Sequence, residues 1–347
     1  MFLSLRRFKF PTWALALMFV STSMAQTETN QVHLAPNSNS LDKMKNTSLN
    51  NRNNTLFSSV DLVLVPVTVS DFGGRPMLGL NKDNFQIFDN KKLQSIEQFS
   101  GEDIPTSIVV ILDTSGSMAE ADKLEKARQA VLAFLETCNP QDEVAMITVA
   151  DKPKLSVDFT DSLATIQKAM ISTAAGGATA LLDAVYLAIN DMKNSKYSKK
   201  ALLIVSDGGD NHSRYKEREV TELIKESDLI IYTIGVFDES VAAGQDYFSV
   251  IYDEAFPSEE ERLGPFLLSS MSEITGGRSF TINNPDDMVE IASKISLELR
   301  NQYVLGYHAQ SLPHNGKWHN LKVKLVTSQR HPHLRVTAKQ GYYDASH

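Results

Sequence analysis

Asp113, Ser115 and Ser117 occupy alternate positions of the run Asp113-Thr114-Ser115-Gly116-Ser117, directly after the apolar stretch Ile108-Val109-Val110-Ile111-Leu112. One carboxylate and two hydroxyls on so short a turn make the outline of a metal site, because hard divalent cations such as magnesium take all-oxygen shells completed by water. Gly116 allows the backbone to turn sharply enough for both hydroxyls to face one point. The five aliphatic residues before Asp113, four of them β-branched, predict a strand buried on both faces of a parallel sheet, and open α/β sheets bind ligands at the carboxyl ends of their strands.

Two other segments offer oxygens to the same edge. Gly176-Gly177-Ala178-Thr179 puts a threonine after a glycine-rich loop and at the start of an apolar helix, where its hydroxyl suits an N-cap that also reaches a metal. Leu202-Leu203-Ile204-Val205-Ser206-Asp207-Gly208-Gly209 repeats the opening logic, a buried strand ending in an acid and then glycines. The set Asp-x-Ser-x-Ser, Thr and Asp resembles the metal-ion-dependent adhesion site of von Willebrand factor type A domains at all five positions. The resemblance implies that Asp113, Ser115, Ser117, Thr179 and Asp207 form a metal shell, some directly and some through water, around Mg2+, with Mn2+ or Ca2+ as alternatives. It also implies that an Asp or Glu of a protein partner completes the coordination sphere.

The elements that must position these residues alternate strand and helix, as a doubly wound α/β fold requires. Strands are expected at 106–112, 144–149, 155–159, 201–206, 229–236 and 278–281. Helices are expected near 119–138, 161–171, 180–192, 215–227, 264–274 and 286–300. Asp151-Lys152-Pro153-Lys154 is too short for a crossover, so the strand from Leu155 to Phe159 must run antiparallel to its neighbour. The fold class is therefore a mostly parallel sheet with one antiparallel edge strand, and the resemblance covers about residues 102–300. Further strands are expected within 56–101 and 301–347, where the alternation of Leu321 to Val326 marks a half-exposed antiparallel strand. These two terminal segments are expected to pair into one small sheet, as in exported bacterial proteins whose β segments flank a type A domain.

Residues 1–25 carry Arg6, Arg7 and Lys9 ahead of an apolar run from Trp13 to Val20 and end in Ser23-Met24-Ala25, the signature of a signal peptide cleaved after Ala25. That run is far short of the roughly 20 residues a membrane-crossing helix needs, so no stable membrane insertion is expected after cleavage. The expected location is periplasmic or secreted. Residues 26–55, rich in Asn, Ser and Thr, read as a flexible spacer. The formal net charge of -8 becomes -11 once the three leader cations are lost, which disfavours nucleic acid and anionic membrane surfaces as partners. Cys138 is the single cysteine, so no intramolecular disulfide forms, and its place after an apolar helical run predicts a buried thiol.

A long connection separates the strand ending near Val236 from the helix starting near Gly264. Leaving the carboxyl end of a parallel strand, this acidic and aromatic segment emerges on the metal edge, and Tyr247, Phe248 and Tyr252 are candidate partner contacts. Six of the eight histidines lie from His308 onward, but no cysteine or ordered acids accompany His331 and His333 to make a transition-metal site. The chain has no Gly-x-Ser-x-Gly elbow, P-loop or His-Glu-x-x-His motif, and a metal-bound serine is a poor nucleophile. The expectation is thus a non-enzymatic, exported, metal-dependent protein-binding module for adhesion or assembly. A magnesium-dependent hydrolase using the same pocket, or a scaffold with a structural metal, are the alternatives.

Overall fold

A computed structural model describes residues 62–237, 259–282, 284–309, 316–326 and 334–344. The expected leader and spacer, the residues Tyr247, Phe248 and Tyr252, and the pair His331 and His333 lie outside these described residues. In chain order the strands are β1 (Leu62–Ser70), β2 (Phe85–Asp89), β3 (Lys92–Gln94), β4 (Gln98–Ser100), β5 (Thr106–Asp113), β6 (Glu143–Val149), β7 (Pro153–Thr160), β8 (Lys199–Ser206), β9 (Ile230–Val236), β10 (Ser279–Ile282), β11 (Tyr303–His308), β12 (Trp318–Leu325), β13 (Arg335–Ala338) and β14 (Gly341–Tyr343). The helices are α1 (Lys123–Thr137), α2 (Leu163–Ile171), α3 (Leu181–Asp191), α4 (Glu217–Glu226), α5 (Glu259–Thr275) and α6 (Met288–Arg300). Among the described residues, no helix is long and apolar enough to cross a membrane.

The fold is α/β, built on a six-stranded sheet in the order β10-β9-β8-β5-β6-β7. Every neighbouring pair is parallel except β6 and β7, whose short link forces them antiparallel. Every residue of β5 is buried, and its side chains divide by the two-residue strand period. Ile108, Val110 and Leu112 pack with Leu124, Val131 and Phe134 of α1 and with Ala292, Ile295 and Leu299 of α6. Val109 and Ile111 face Leu181, Val185 and Ala188 of α3, Val220 and Ile224 of α4, and Leu268 and Met271 of α5. From β5 the chain first moves to β6 and later returns to β8 on the other flank. The β5–β8 boundary is therefore a topological switch point, the place where such sheets bind ligands.

The terminal segments pair with each other, but into two small antiparallel sheets rather than one. Their orders are β13-β1-β11-β4 and β14-β12-β2-β3. Val63, Val65, Val67 and Val69 of β1 share a core with Phe85 and Ile87 of β2, Leu305 and Tyr307 of β11 and Leu321 of β12. Each apolar face thus finds a partner sheet, which a single four-stranded sheet would not have supplied. The alternation expected around Leu321 is present, with His319 and Leu321 buried and Asn320, Lys322 and Lys324 exposed. Two helix starts differ from expectation. A 3-10 turn over Gly116–Asp122 delays α1 to Lys123, and α5 begins at Glu259, ahead of the expected start near Gly264.

Candidate metal centre

Strand β5 delivers Asp113 to the switch point with its side chain fully enclosed. An ionised carboxylate in such a place costs several kcal/mol unless donors or a cation compensate. Its Oδ1 accepts the Ser115 backbone N–H at 2.8 Å, and its Oδ2 accepts the Ser206 hydroxyl at 2.5 Å. The hydroxyls of Ser115 and Ser117 stand 3.1 Å apart. Ser115 also bonds to Asp113 through its side chain, and the Ser117 hydroxyl bonds to Asp207. A continuous hydrogen-bonded run therefore joins Asp113 to Asp207 through the two serines.

Backbone bonds bring the other segments to the same edge. The Gly116 N–H donates to the Gly177 carbonyl at 3.0 Å, and the Gly176 N–H donates to the Thr114 carbonyl at 2.8 Å. Gly177 has φ +87, and a Cβ there would stand 2.8 Å from Asp151 Oδ1, so this position requires glycine. Asp151 Oδ1 also accepts the Ala178 N–H at 2.7 Å. Thr179 is held from the opposite side: its N–H donates to Asn211 Oδ1 at 2.9 Å, and its carbonyl accepts the Asn211 and His212 N–H groups, each at 3.0 Å. The loop after β8 and the loop before α3 are in this way clamped together.

Thr179 is not the cap of α3 that its sequence position suggests. The residue preceding the helix is Ala180, which makes no side-chain cap bond. The free amides of the first turn are satisfied from the loop after β8 instead. Asp210 Oδ1 accepts Leu182 N–H at 3.2 Å, Asp210 also accepts the Leu181 amide, and Ser213 Oγ accepts Asp183 N–H at 3.0 Å. Asp210 is thus a helix-capping acid supplied from another loop of the chain.

Burial pushes the Asp113 carboxyl up to about 6, and the neighbouring Asp207 charge pushes it the same way, against the hydrogen bonds from Ser206 and Ser115. Burial also raises Asp207, opposed by the Ser117 hydroxyl and by the Lys123 ammonium. Two desolvated carboxylates that repel each other, with serine hydroxyls between them, fit a small divalent cation: its charge compensates both. Among the described residues no three His, Cys, Asp or Glu side chains cluster, so hydroxyl oxygens must supply part of any shell here. That donor set suits Mg2+, Mn2+ or Ca2+ better than softer metals.

Part of this sheet falls within a known protein family. Residues 108–209 match the von Willebrand factor type A domain. The matched stretch contains all five of Asp113, Ser115, Ser117, Thr179 and Asp207. An uncharacterised protein of Borreliella burgdorferi is 23% identical over 193 residues, covering 51% of this chain and 54% of that protein. The chain thus matches about half the length of this curated relative. Among solved structures, the chain is similar to the conserved hypothetical protein BatB from Bacteroides thetaiotaomicron, with 18% identity, 56% of this chain and 98% of that chain covered and a TM-score of 0.43. A von Willebrand factor type A structure from Catenulispora acidiphila aligns over 77% of this chain and 75% of its own, with 11% identity and a TM-score of 0.46. The vWF domain of the type V pili tip protein Mfa5 from Porphyromonas gingivalis covers 56% and 94%, with 13% identity and a TM-score of 0.43.

Several residues that build this edge have no signature in the sequence. Ser206 lies one step beyond the Leu112–Val205 pair in the β5–β8 register, which sets its hydroxyl beside Asp113. Its position just before Asp207 was the one available signal. Asp151 and Asn211 hold the Thr179 loop through backbone amides, and nothing in residue type alone distinguishes them from solvated turn residues.

Proposed function

We propose that this protein is an exported, metal-dependent protein-binding module, acting in adhesion or assembly rather than catalysis. Asp113, Ser115, Ser117, Thr179 and Asp207 are the residues that would hold a divalent cation, Mg2+ first among Mg2+, Mn2+ and Ca2+. The observation that carries this reading is the hydrogen-bonded run from Asp113 through Ser115 and Ser117 to Asp207, which gathers a buried and a half-buried carboxylate that repel each other around two hydroxyls. When bound, the cation supplies a Lewis-acidic position that an Asp or Glu of a protein partner can occupy. The protein's own part is to hold Asp113 rigidly through Ser206, to keep the serine hydroxyls paired across the turn, and to fix Thr179 between two loops.

A partner carboxylate is favoured because two acids leave a divalent cation with incomplete charge compensation once hydroxyls and water fill the rest of its shell. Charge rules against nucleic acid, since the chain is acidic overall. The test is capture of envelope proteins by the full chain in Mg2+ and in chelator, with Asp113→Ala alongside. Capture that requires both Mg2+ and Asp113 supports binding through the metal. Capture that ignores both points to a scaffold, and metal-dependent turnover of a substrate that Asp113→Ala loses points to an enzyme.

A further inference from the structure

Beside the metal edge, on the α3 side, lies an open cleft of about 470 Å³ whose lining includes Lys152, Asp183, Tyr186, His212, Arg214 and Tyr215. This volume is within the range of ligand-binding sites. The cleft and the metal edge share a wall. Asp151 on the cleft rim accepts the Ala178 N–H, and the His212 N–H donates to the Thr179 carbonyl.

We infer that this cleft is a second anchoring site for the same protein ligand, taking a side-chain carboxylate a few residues along an extended segment from the one that completes the metal shell. The inference rests on the binding function proposed above. Its main support is the state of Arg214. Asp183, only 4% exposed, accepts the Arg214 and Tyr215 backbone N–H groups at Oδ1, at 2.9 and 3.1 Å, and Arg214 Nε at Oδ2, at 3.0 Å. The acid is thus buried and satisfied, while the Arg214 side chain remains 82% exposed. Fixed at Nε, the guanidinium keeps Nη1 and Nη2 without a bonding partner among the described residues. A planar fork held in place this way is suited to a carboxylate, which it can grip through two parallel bonds.

The rest of the cleft fits an extended acidic segment. Tyr186 and Tyr215 stack with ring centroids 3.9 Å apart and an interplanar angle of 14°, forming a flat wall for a ligand backbone. Lys152 and His212 add basic groups to the rim. With Lys152 and Arg214 balancing Asp151 and Asp183, the lining is formally neutral in a chain of net charge -8, so an acid meets less repulsion there than over the chain at large. A protein segment, rather than a free anion, matches a cleft that continues directly from the edge where the first carboxylate is expected.

The experiment measures fluorescence polarisation of the full chain with labelled glycine-rich peptides bearing two glutamates two to five residues apart. Each is paired with a counterpart in which the second glutamate is glutamine. At one or more spacings the two-acid peptide should bind about tenfold tighter, the effect of one charge-assisted contact. Arg214→Gln should erase that preference, and Arg214→Lys should keep part of it, while Mg2+ affinity remains that of wild type. The absence of a preference at every spacing would overturn the inference, as would a preference that survives Arg214→Gln. The metal reading has its own signal, the chelator sensitivity of the single-glutamate peptide. A preference that depends on Arg214 but persists in chelator keeps the cleft and defeats the metal reading.

Discussion

Ser206 Oγ donates to Asp113 Oδ2 at 2.5 Å, joining the last residue of β8 to the last residue of β5 across the switch point of the sheet. Ser206 also accepts the Gly208 N–H at 2.9 Å, so one hydroxyl orients Asp113 and shapes the turn that presents Asp207. Ser206→Ala removes this support without touching a proposed ligand. Metal affinity should fall by about 10- to 100-fold, the usual cost of losing a group that orients a ligand. Titration of Mg2+ into wild type and variant checks it, and unchanged affinity would leave Ser206 a purely structural residue.

The raised Asp113 carboxyl makes stability without divalent ions depend on pH. Because the folded group binds its proton more tightly than the unfolded chain does, the folded state loses stability as pH rises from about 4 through about 6. The difference amounts to roughly 3 kcal/mol at neutral pH. In chelator, wild type should therefore gain stability relative to Asp113→Asn as the pH is lowered from 7 to 5, measured by urea unfolding. In saturating Mg2+ the bound cation holds the carboxylate ionised, so that gain should vanish.

Gly208 and Gly264 approach so closely that a Cβ on Gly208, which has φ +81, would stand 2.8 Å from the Gly264 carbonyl carbon. The residue after Asp207 is in this way locked against α5. Gly208→Ala combines a positive φ with a backbone clash and should destabilise the fold by about 2 kcal/mol or more. Metal affinity should weaken with it, since Asp207 is the neighbour that must shift. Thermal unfolding and Mg2+ titration read the two effects.

Asp89 ties the two terminal sheets together. Its Oδ2 accepts the hydroxyls of Tyr307 at 2.8 Å and Tyr342 at 3.0 Å, and its Oδ1 lies 2.9 Å from His319 Nδ1. These partners come from β11, β14 and β12, so one carboxylate fastens both small sheets. Asp89→Ala strands several buried polar groups and should cost about 3 kcal/mol. Mg2+ affinity should be unaffected, and its loss would mean that the terminal sheets reach into the metal site.

Cys138, expected to be buried, closes α1 half-buried with its sulfur 3.6 Å from the Ser296 hydroxyl, and the desolvation of that sulfur pushes its thiol up to about 12. Native protein at pH 8 should leave this thiol unlabelled by an alkylating reagent over minutes, and denaturant should expose it to full labelling.

Much of this architecture was legible in the chain itself, wherever local chemistry and topology agree. The apolar run before Asp113 specifies a strand buried on both faces, and the short Asp151–Lys154 link specifies the antiparallel edge. The features that were hidden depend on contacts far apart in sequence. Asp210 caps α3 from another loop, a role no spacing rule encodes, and the apparent cap at Thr179 therefore misleads. Strands β3 and β14 have three residues each, too few for a period to show. The division of the terminal strands into two sheets follows from burying both apolar faces, a packing requirement that alternation along one strand does not reveal. Asp113, Ser115 and Ser117 could be read as a group because one turn carries them, whereas Ser206 became visible only through the β5–β8 register.

The most direct measurement is calorimetric titration of Mg2+ into the chelator-stripped full chain, wild type beside Asp113→Ala and Asp207→Asn. Wild type should bind one Mg2+ per chain, and both variants should lose that binding while keeping the wild-type circular dichroism spectrum. Undiminished Mg2+ binding by folded Asp113→Ala would contradict the account, because the site proposed here depends on that carboxylate.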